Sequence, residues 1–269
     1  MNDTVVVGAV AYTANVVPIW EGIREYFRGR DNPTDFVLFS NYERQIDALL
    51  AGHIDIAWNT NLAWVRTVGL TKGQCRALAM RDIDVKFASI FVQRTGEGMG
   101  DLADLKGRRL ALGSRDSTQA GILPLHFLKQ AELLDDVSVL RFDSDAGKHG
   151  DTGRSELDSL RALLDGEADA AAIGTTTWDS VGRDDLMKGT LEAFWTSPQY
   201  CHCNFTTLDL DNARAKAWTD ELLAMDWENP EQRRIMEMEG IEREWVRPQL
   251  DGYSSLFEAV EDQGIPLRW

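Results

Sequence analysis

The sequence predicts an α/β protein built from two lobes, each with a mixed, mostly parallel sheet flanked by helices. Strand-like and helix-like segments alternate through most of the 269 residues, which is typical of βαβ units. A helix–glycine–strand segment at 46–57 is repeated at 160–171, which indicates a second copy of the same architecture. A hydrophobic content of 43% with 27% charged residues is that of a globular protein.

The first half of the chain contains strand and helix signals in alternation. Pro18 suits the first turn of a helix, where its missing N–H costs nothing. Gly52 ends the next helix, and residues 59–61 offer side-chain caps for the one after it. We predict strands at 4–11, 35–39, 54–58, 76–80 and 86–92, and helices at 17–27, 43–51 and 61–68.

The second half repeats the alternation and ends in helices. Pro124 lies inside a helical segment and predicts either a kink or the true start of that helix. Gly166 ends the next helix, and Asn229 with Pro230 forms a cap and first turn. We predict strands at 108–112, 137–142 and 168–173, helices at 101–107, 117–133, 156–164, 212–225, 230–240 and 254–263, and a buried stripe of Trp218, Leu222 and Met225.

The repeat also predicts the domain organisation. Its two copies keep a constant offset, 160 − 46 = 114 residues, although helix–glycine–strand corners can also resemble one another by chance. No Pro-, Gly- or Ser-rich linker separates the copies, so we expect strand-like crossovers near 91–95 and 196–205. Lobe I is therefore predicted at 1–93 with 200–269, including the C-terminal helices, and lobe II at 94–199.

Charge and hydropathy exclude several classes of partner. With 28 Lys and Arg against 44 Asp and Glu, the net charge is −16, which argues against nucleic acid or an anionic membrane surface. No apolar run approaches the ~20 residues of a membrane span. The first residues lack the basic and apolar regions of a signal peptide, so the chain as written is predicted to be cytoplasmic, or periplasmic if it is a mature form.

Five segments resemble, in order, those of a known family. They are NYERQIDAL at 41–49, GHIDIAW at 52–58, DLADLKGRRLA at 101–111, DSTQAG at 116–121 and GKH at 147–149. Together they resemble the type 2 periplasmic solute-binding proteins, and within them the phosphate/phosphite/phosphonate-binding subfamily of ABC transporters. The likeness covers about residues 4–210.

This resemblance implies a fold and a function. The expected fold has a ligand cleft between two lobes that close by hinge motion over a small anion. The expected ligand is a phosphonate, a phosphate-like anion, or an organic carboxylate or sulfonate. If the protein is exported, an ABC permease is its expected partner.

The resemblance also implies site residues. Ser117 and Thr118 would stand at a helix N-terminus, where backbone N–H groups hold an oxyanion without Arg or Lys; simple helix capping is the alternative. Tyr42 and His149 would each donate a further hydrogen bond, His149 in a pH-dependent way. The complete predicted ligand-binding set is Tyr12, Tyr42, Asn59, Thr60, Asn61, Trp64, Ser117, Thr118, Gln119, His149, Thr175 and Cys203.

The sequence departs from this family at three places. Gln119 replaces the family's third cradle serine, and the polar run 59–61 replaces its Gly-Pro turn. The return segment 200–204 lacks the acidic residue that would hold a ligand amine. An aminophosphonate is therefore disfavoured, and a plain oxyanion, carboxylate or sulfonate is favoured.

The segment Cys201-His202-Cys203 permits several interpretations. If it is an extended strand, the two cysteines share one face and His202 lies on the other. They could be buried thiols beside a hydrogen-bonded histidine, a reactive thiol, or metal ligands joined by a histidine. Apart from that metal, no cofactor is expected.

An enzyme and a sensor therefore remain alternatives. A cytosolic enzyme of decarboxylase, lyase or biosynthetic type would act on a small carboxylated or aromatic substrate. Cys201 or Cys203 would be its nucleophile or metal ligand, and His202 or His149 its acid and base. Fungal-type thiamin-pyrimidine synthases have a similar fold and a cysteine-rich return segment, but their cofactor-holding Lys and reactive His are absent here. A cytosolic ligand sensor without chemistry is the third alternative.

Overall fold

The computed structural model describes residues 4–184, 187–208 and 213–268. They form two compact units, each built from separate stretches of chain. Unit 1 lies within Met1–Lys86, Tyr200–Ser254 and Pro266–Trp269, and unit 2 within Phe87–Gln199 and Ser255–Ile265. The predicted lobe boundaries after residues 93 and 199 stay predictions.

The helices and strands alternate through both units. The strands are β1 (Val5–Val10), β2 (Thr34–Phe39), β3 (Ile56–Asn59), β4 (Arg76–Ala77), β5 (Met80–Arg81), β6 (Ser89–Arg94), β7 (Arg109–Leu112), β8 (Ser138–Arg141), β9 (Ala170–Gly174), β10 (Leu191–Thr196), β11 (Asn204–Thr207) and β12 (Trp245–Val246). The helices are α1 (Val16–Phe27), α2 (Tyr42–Leu50), α3 (Asn61–Thr71), α4 (Leu123–Gln130), α5 (Arg154–Leu164), α6 (Thr175–Arg183), α7 (Ala213–Leu223), α8 (Pro230–Met238) and α9 (Ser254–Asp262).

Unit 1 contains a five-stranded sheet in the order β2-β1-β3-β11-β4. Strand β1 pairs in parallel with β2 and β3, whereas β11 runs antiparallel to β3 and β4. The register places Asn204, at the start of β11, opposite Asn59 at the end of β3. Strands β5 and β12 form a separate two-stranded sheet.

Unit 2 repeats this arrangement in the order β8-β7-β9-β6-β10. Strand β7 pairs in parallel with β8 and β9, and β6 runs antiparallel to β9 and β10. Each sheet therefore has three neighbouring parallel strands with the first of them in the chain, β1 or β7, at their centre. An antiparallel strand, β11 or β6, lies next to the last of the three. The repeated segments 46–57 and 160–171 lie at the α2–β3 and α5–β9 corners, so the predicted duplication of topology is confirmed.

Most predicted helices occur within a few residues of their predicted bounds, but two regions differ. The helix predicted at 117–133 begins as a π-helix, Thr118–Ile122, and becomes α-helical at Leu123. Pro124 thus marks the start of the α-helix, and the carbonyl of Ala120 accepts from the N–H of Gly113 at 2.8 Å instead. Helix α6 was not predicted because its three opening threonines are β-branched and favour extended backbone.

Each unit has its own apolar core. In unit 1, Trp218 stacks on Phe27 with ring centroids 5.4 Å apart, and the ring centroid of Phe205 in β11 lies 5.0 Å from that of Trp218. The predicted stripe of Trp218, Leu222 and Met225 is buried there. In unit 2, Leu160 and Leu163 pack against the sheet with Ile90 and Ile173. Every helix of the described chain is too short or too polar to cross a membrane.

Candidate functional site

Unit 1 carries a buried polar corner where β3 gives way to α3. We call Asn59, Thr60 and Asn61 the 59–61 corner. Asn59 ends β3, Thr60 caps α3 by accepting the N–H of Ala63 at 3.2 Å, and Asn61 is the first helical residue. All three side chains are at most 1% exposed. The predicted cap at these residues is therefore confirmed, and the corner combines polar side chains with a helix N-terminus.

The amide of Asn59 is oriented by a neighbour that sequence reasoning missed. Gln45 Nε2 donates to the carbonyl of Trp58 and to Asn59 Oδ1, both at 2.8 Å. Because the carbonyl end of Asn59 is occupied in this way, its NH2 end points away from Gln45. Among the described residues, Asn59 Nδ2 has no hydrogen-bond partner. The arrangement presents a buried, oriented donor.

The other residues predicted in unit 1 have identifiable surroundings. Asn61 Nδ2 donates to the carbonyl of Cys201 at 3.3 Å, and Asn61 Oδ1 accepts the N–H of Leu62 at 2.9 Å. Tyr42 opens α2, one residue before the predicted start of that helix, and is buried beside Val10. Tyr12 is partly buried against the main core of the unit, and Trp64 is buried with its ring 6.0 Å from that of Tyr253.

Unit 2 carries a second buried polar corner at the start of the π-helix. We call Ser117, Thr118 and Gln119 the 117–119 corner. Ser117 caps this helix, since its Oγ accepts the N–H of Ala120 at 3.2 Å and its carbonyl accepts the N–H of Ile122 at 2.9 Å. All three side chains are nearly fully buried. Single π-turns occur often at functional sites, and this one places Ser117 and Thr118 at the expected helix N-terminus.

A turn at residues 147–150 packs against the 117–119 corner. His149 is buried and has a left-handed backbone with φ of 53°, and Gly150 follows with φ of 84°. A Cβ built on Gly150 would collide with Ser117 Oγ and lie 2.8 Å from Gln119 Nε2. The Asp116 carboxylate accepts the N–H of Gly147. The turn and the corner therefore form one packed group.

A second set of bonds fixes this turn. The Ser114 hydroxyl donates to the Asp145 carboxylate, and Thr152 Oγ1 donates to Asp145 Oδ2 at 2.7 Å. These bonds tie both ends of the 145–152 segment to the end of β7. Because the surrounding contacts fix it, the left-handed backbone of His149 can be maintained.

Glu156 is a buried acid beside this corner that sequence reasoning missed. It lies in the first turn of α5, where Oε1 accepts from Gln119 Nε2 at 3.0 Å and Oε2 accepts the N–H of Gly174 at 2.7 Å. Burial raises the pKa of Glu156 and nearby Asp145 adds to the rise, whereas these donors and Thr177 oppose it. The only signal for Glu156 in the sequence is its position in the first turn of a predicted helix. Carboxylates are common there, so this position does not indicate a functional site.

The hydroxyl of Thr175, a predicted ligand-binding residue, forms hydrogen bonds with backbone groups. Thr175 Oγ1 accepts the N–H of Ala88 at 3.0 Å and donates to the carbonyl of the same residue at 3.3 Å. The residue also opens helix α6. These contacts join β6 to α6 within unit 2.

The Cys201-His202-Cys203 segment is buried in unit 1 and is not a strand, because β11 begins only at Asn204. The opposite faces expected of His202 and Cys203 in an extended strand therefore do not apply here. His202 Nδ1 lies 3.0 Å from Cys203 Sγ, because the backbone N–H of His202 donates to the carbonyl of Asp84 and not to a strand ladder. Burial raises the pKa of Cys201 to about 11, which disfavours a thiolate nucleophile at neutral pH.

The same segment does not fit a metal ion well. Ligand atoms of Asp84, His202 and Cys203 lie within 4.8 Å of one another. However, Asp84 already accepts two hydrogen bonds from Arg81, from Nε at 2.6 Å and from Nη2 at 2.8 Å. Burial opposes ionisation of Asp84, but the charge and hydrogen bonds of Arg81 outweigh it and lower the pKa to about 2. The Arg81 guanidinium therefore already neutralises the carboxylate that a cation would need.

The two units and their buried polar corners define a class of protein. Both corners offer amide, hydroxyl and helix N-terminal N–H groups and contain no Lys or Arg, so they suit oxyanions bound through hydrogen bonds. Two α/β units of matching topology, each with such a corner, are typical of solute-binding proteins of the periplasmic type 2 fold.

Comparisons with known proteins identify the family. The family model described as ABC transporter, phosphonate, periplasmic substrate-binding protein matches residues 11–253. The chain belongs to this family, and it is a solute-binding protein. The enzyme alternative receives no support from these comparisons.

Several relatives share the fold. A probable ABC transporter phosphite binding protein, PhnD1 of Prochlorococcus marinus (strain MIT 9301), is 24% identical over 247 residues, covering 87% of this chain and 80% of the relative. The structure of PhnD1 from Prochlorococcus marinus (MIT 9301) in complex with methylphosphonate has a TM-score of 0.71 at 21% identity, covering 98% of this chain and 99% of the other. XAC2383 of Xanthomonas citri, solved bound to ATP, has a TM-score of 0.72 at 17% identity, and the match covers 96% of this chain and 97% of the other.

Proposed function

We propose that this chain captures a phosphonate-class oxyanion for an ABC importer and that its polar corners are oxyanion-binding elements. The family assignment supports the transport role. The related PhnD1 of Prochlorococcus marinus is described as a probable phosphite binding protein and has been solved with methylphosphonate, which supports a tetrahedral phosphorus oxyanion as the ligand class.

The observation that carries the proposal is the buried NH2 group of Asn59. It has no partner among the described residues, and leaving a buried donor unsatisfied costs about 1–3 kcal/mol. An oxyanion at the 59–61 corner removes this cost by accepting the bond. Gln45 holds the amide in the correct orientation, so little side-chain entropy is lost on binding.

The 117–119 corner supplies a second set of donors. Its helix N-terminus and the hydroxyls of Ser117 and Thr118 suit the oxygens of a tetrahedral anion. Tyr42 and His149 are proposed to add donors, as the family resemblance implies, and Tyr12, Trp64, Thr175 and Cys203 stay in the proposed set as neighbours of the ligand. No metal or other cofactor is part of the proposal.

The protein is proposed to act in the periplasm with a membrane permease as partner. The family consists of periplasmic substrate-binding proteins, which favours the periplasmic alternative over the cytoplasmic one. Osmotic-shock fractionation of the native host, followed by immunoblotting, tests this. Retention of the protein with cytoplasmic markers would contradict it.

Isothermal titration calorimetry of the purified chain with methylphosphonate, phosphite and phosphate tests the binding role. We expect at least one of these anions to bind, and Asn59→Ala to weaken its binding by about tenfold or more. Asn32→Ala is the matched control, because Asn32 is also buried in unit 1 but donates to Glu221 Oε1 at 3.1 Å. Equal effects of the two substitutions would contradict the role given to Asn59.

A further inference from the structure

The side chain of Gln119 is anchored through its amide nitrogen. Its Nε2 donates to Glu156 Oε1 at 3.0 Å. Both oxygens of Glu156 face donors, since Oε2 accepts the N–H of Gly174 at 2.7 Å. Because Nε2 donates to Glu156, the NH2 end of the amide faces this carboxyl group. The carbonyl end, Oε1, then points the other way.

Packing keeps Gln119 in this orientation. A Cβ built on Gly174 would lie 2.8 Å from Gln119 Cγ, and one built on Gly150 would lie 2.8 Å from Nε2. The side chain therefore packs against two glycines, and a larger residue at either position would collide with it. The residue is 3% exposed, so water does not compete freely for its polar atoms.

Gln119 Oε1 is a buried acceptor without a donor. No described residue donates a hydrogen bond to it. It belongs to the same packed group as Ser117, because the Gly150 turn lies against both side chains. A corner that otherwise offers donors to an oxyanion thus contains one carbonyl oxygen, which repels a fully deprotonated oxygen and attracts an O–H group.

We propose that Gln119 Oε1 accepts a hydrogen bond from the ligand, so that this protein selects an oxyanion that carries an O–H group. The chemical class is a singly protonated phosphonate, phosphite or phosphate. A sulfonate of the same shape and charge has no proton to donate and leaves the carbonyl unsatisfied. Glu156 is a positioning residue that acts through the Gln119 amide. This inference rests on the proposed function and narrows its ligand class.

Methylphosphonate and methanesulfonate provide the sharpest test. At about pH 5.5 both are monoanions of nearly the same shape, because the second ionisation of a phosphoryl-type acid lies at a pKa of about 6 or above. They differ in one O–H group. We expect calorimetry on the wild-type chain to show methylphosphonate binding about 10- to 100-fold more tightly, the usual range for an unsatisfied buried acceptor.

Substitutions locate the source of this preference. Gln119→Met keeps the length of the side chain and removes the acceptor, so the ratio of the two affinities should fall to about threefold or less. Gln119→Ser provides a second, smaller variant, and Glu156→Gln should also lower the ratio because a neutral amide no longer dictates which end of Gln119 faces it. Gln130→Met, in α4 of the same unit, is the matched control and should keep the wild-type ratio.

The outcomes separate this inference from the proposed function. Equal binding of both anions by the wild-type chain overturns the inference and leaves the oxyanion-binding role intact. A wild-type ratio retained in both Gln119 variants, with thermal unfolding followed by circular dichroism showing folded protein, also overturns it. Failure of methylphosphonate, phosphite and phosphate alike to bind overturns both.

Discussion

Replacing Gly150 with alanine should damage both stability and ligand binding. The backbone there has φ of 84°, a conformation that L side chains rarely adopt. The added methyl would collide with Ser117 Oγ, lie 2.9 Å from Ser117 Cβ and lie 2.8 Å from Gln119 Nε2. These neighbours are buried and cannot swing into solvent.

The magnitude follows from two contributions. A left-handed backbone at a non-glycine residue costs about 1–2 kcal/mol. Forcing one extra carbon into a filled interior costs about 1–3 kcal/mol more. The free energy of unfolding should therefore fall by about 2–5 kcal/mol, a large share of the ~5–15 kcal/mol that a folded protein has in total.

Urea unfolding of both Gly150→Ala and Gly166→Ala isolates the steric contribution. The difference between their losses of stability excludes the backbone cost that the two variants share. Gly166 also has a left-handed backbone, with φ of 76°, but a Cβ there meets no atom within 4 Å. Gly166→Ala should cost only the backbone contribution of about 1–2 kcal/mol and leave methylphosphonate affinity unchanged, whereas Gly150→Ala should weaken it at least ~10-fold by displacing Ser117. Equal losses of stability in the two variants would refute the packing described for the 147–150 turn.

Three further predictions concern unit 1. Asp84→Asn leaves the Arg81 guanidinium buried without its counter-charge and should lower the free energy of unfolding by about 3–5 kcal/mol in urea at pH 7. Because the pKa of Asp84 is lowered to about 2, wild type should keep this advantage above its unfolded pKa of ~4 and lose it as pH falls towards 2; a difference independent of pH would contradict the ion pair. Burial raises the pKa of Cys201 to about 11, so mass spectrometry should find it labelled by an aromatic disulfide reagent far more slowly in native protein than in urea at pH 8, and rapid native labelling would contradict its burial. Trp218→Ala removes the ring stacked on Phe27 and should cost about 3–5 kcal/mol in a urea titration, a loss below ~1 kcal/mol being inconsistent with the packing.

Features that depend on neighbouring residues were predictable from the sequence. Gly52 and Gly166 end their helices with left-handed backbones, with φ of 71° and 76°, and the residues around them repeat at a constant offset. Asn229 caps α8, its side chain accepting the N–H groups of the next helical residues. Local signals of this kind, taken in order, were sufficient for the fold class, since the three parallel strands of each sheet follow from βαβ succession.

Features that depend on distant residues were not predictable. Gln119 and Glu156 are 37 positions apart, and only the folded unit reveals that one orients the other. The rule that alternate residues share a face does not apply to His202, because it holds within a strand and that segment precedes β11. Sequence reasoning therefore located the two corners but not the residues that orient the amides within them.

The membership of α9 in unit 2 has a consequence for the order of biosynthesis. Gln263 Nε2, just beyond this helix, donates to the carbonyl of Ile122 at 2.9 Å, at the end of the π-helix that Ser117 caps. During translation this bond cannot form until the ribosome has passed residue 263, long after residues 87–199 have been made. A nascent or prematurely terminated chain that lacks residue 263 can therefore hold the parallel strands of unit 2 while the π-helix lacks this bond, which makes synthesis of the segment after α9 a condition for full anchoring of the 117–119 corner.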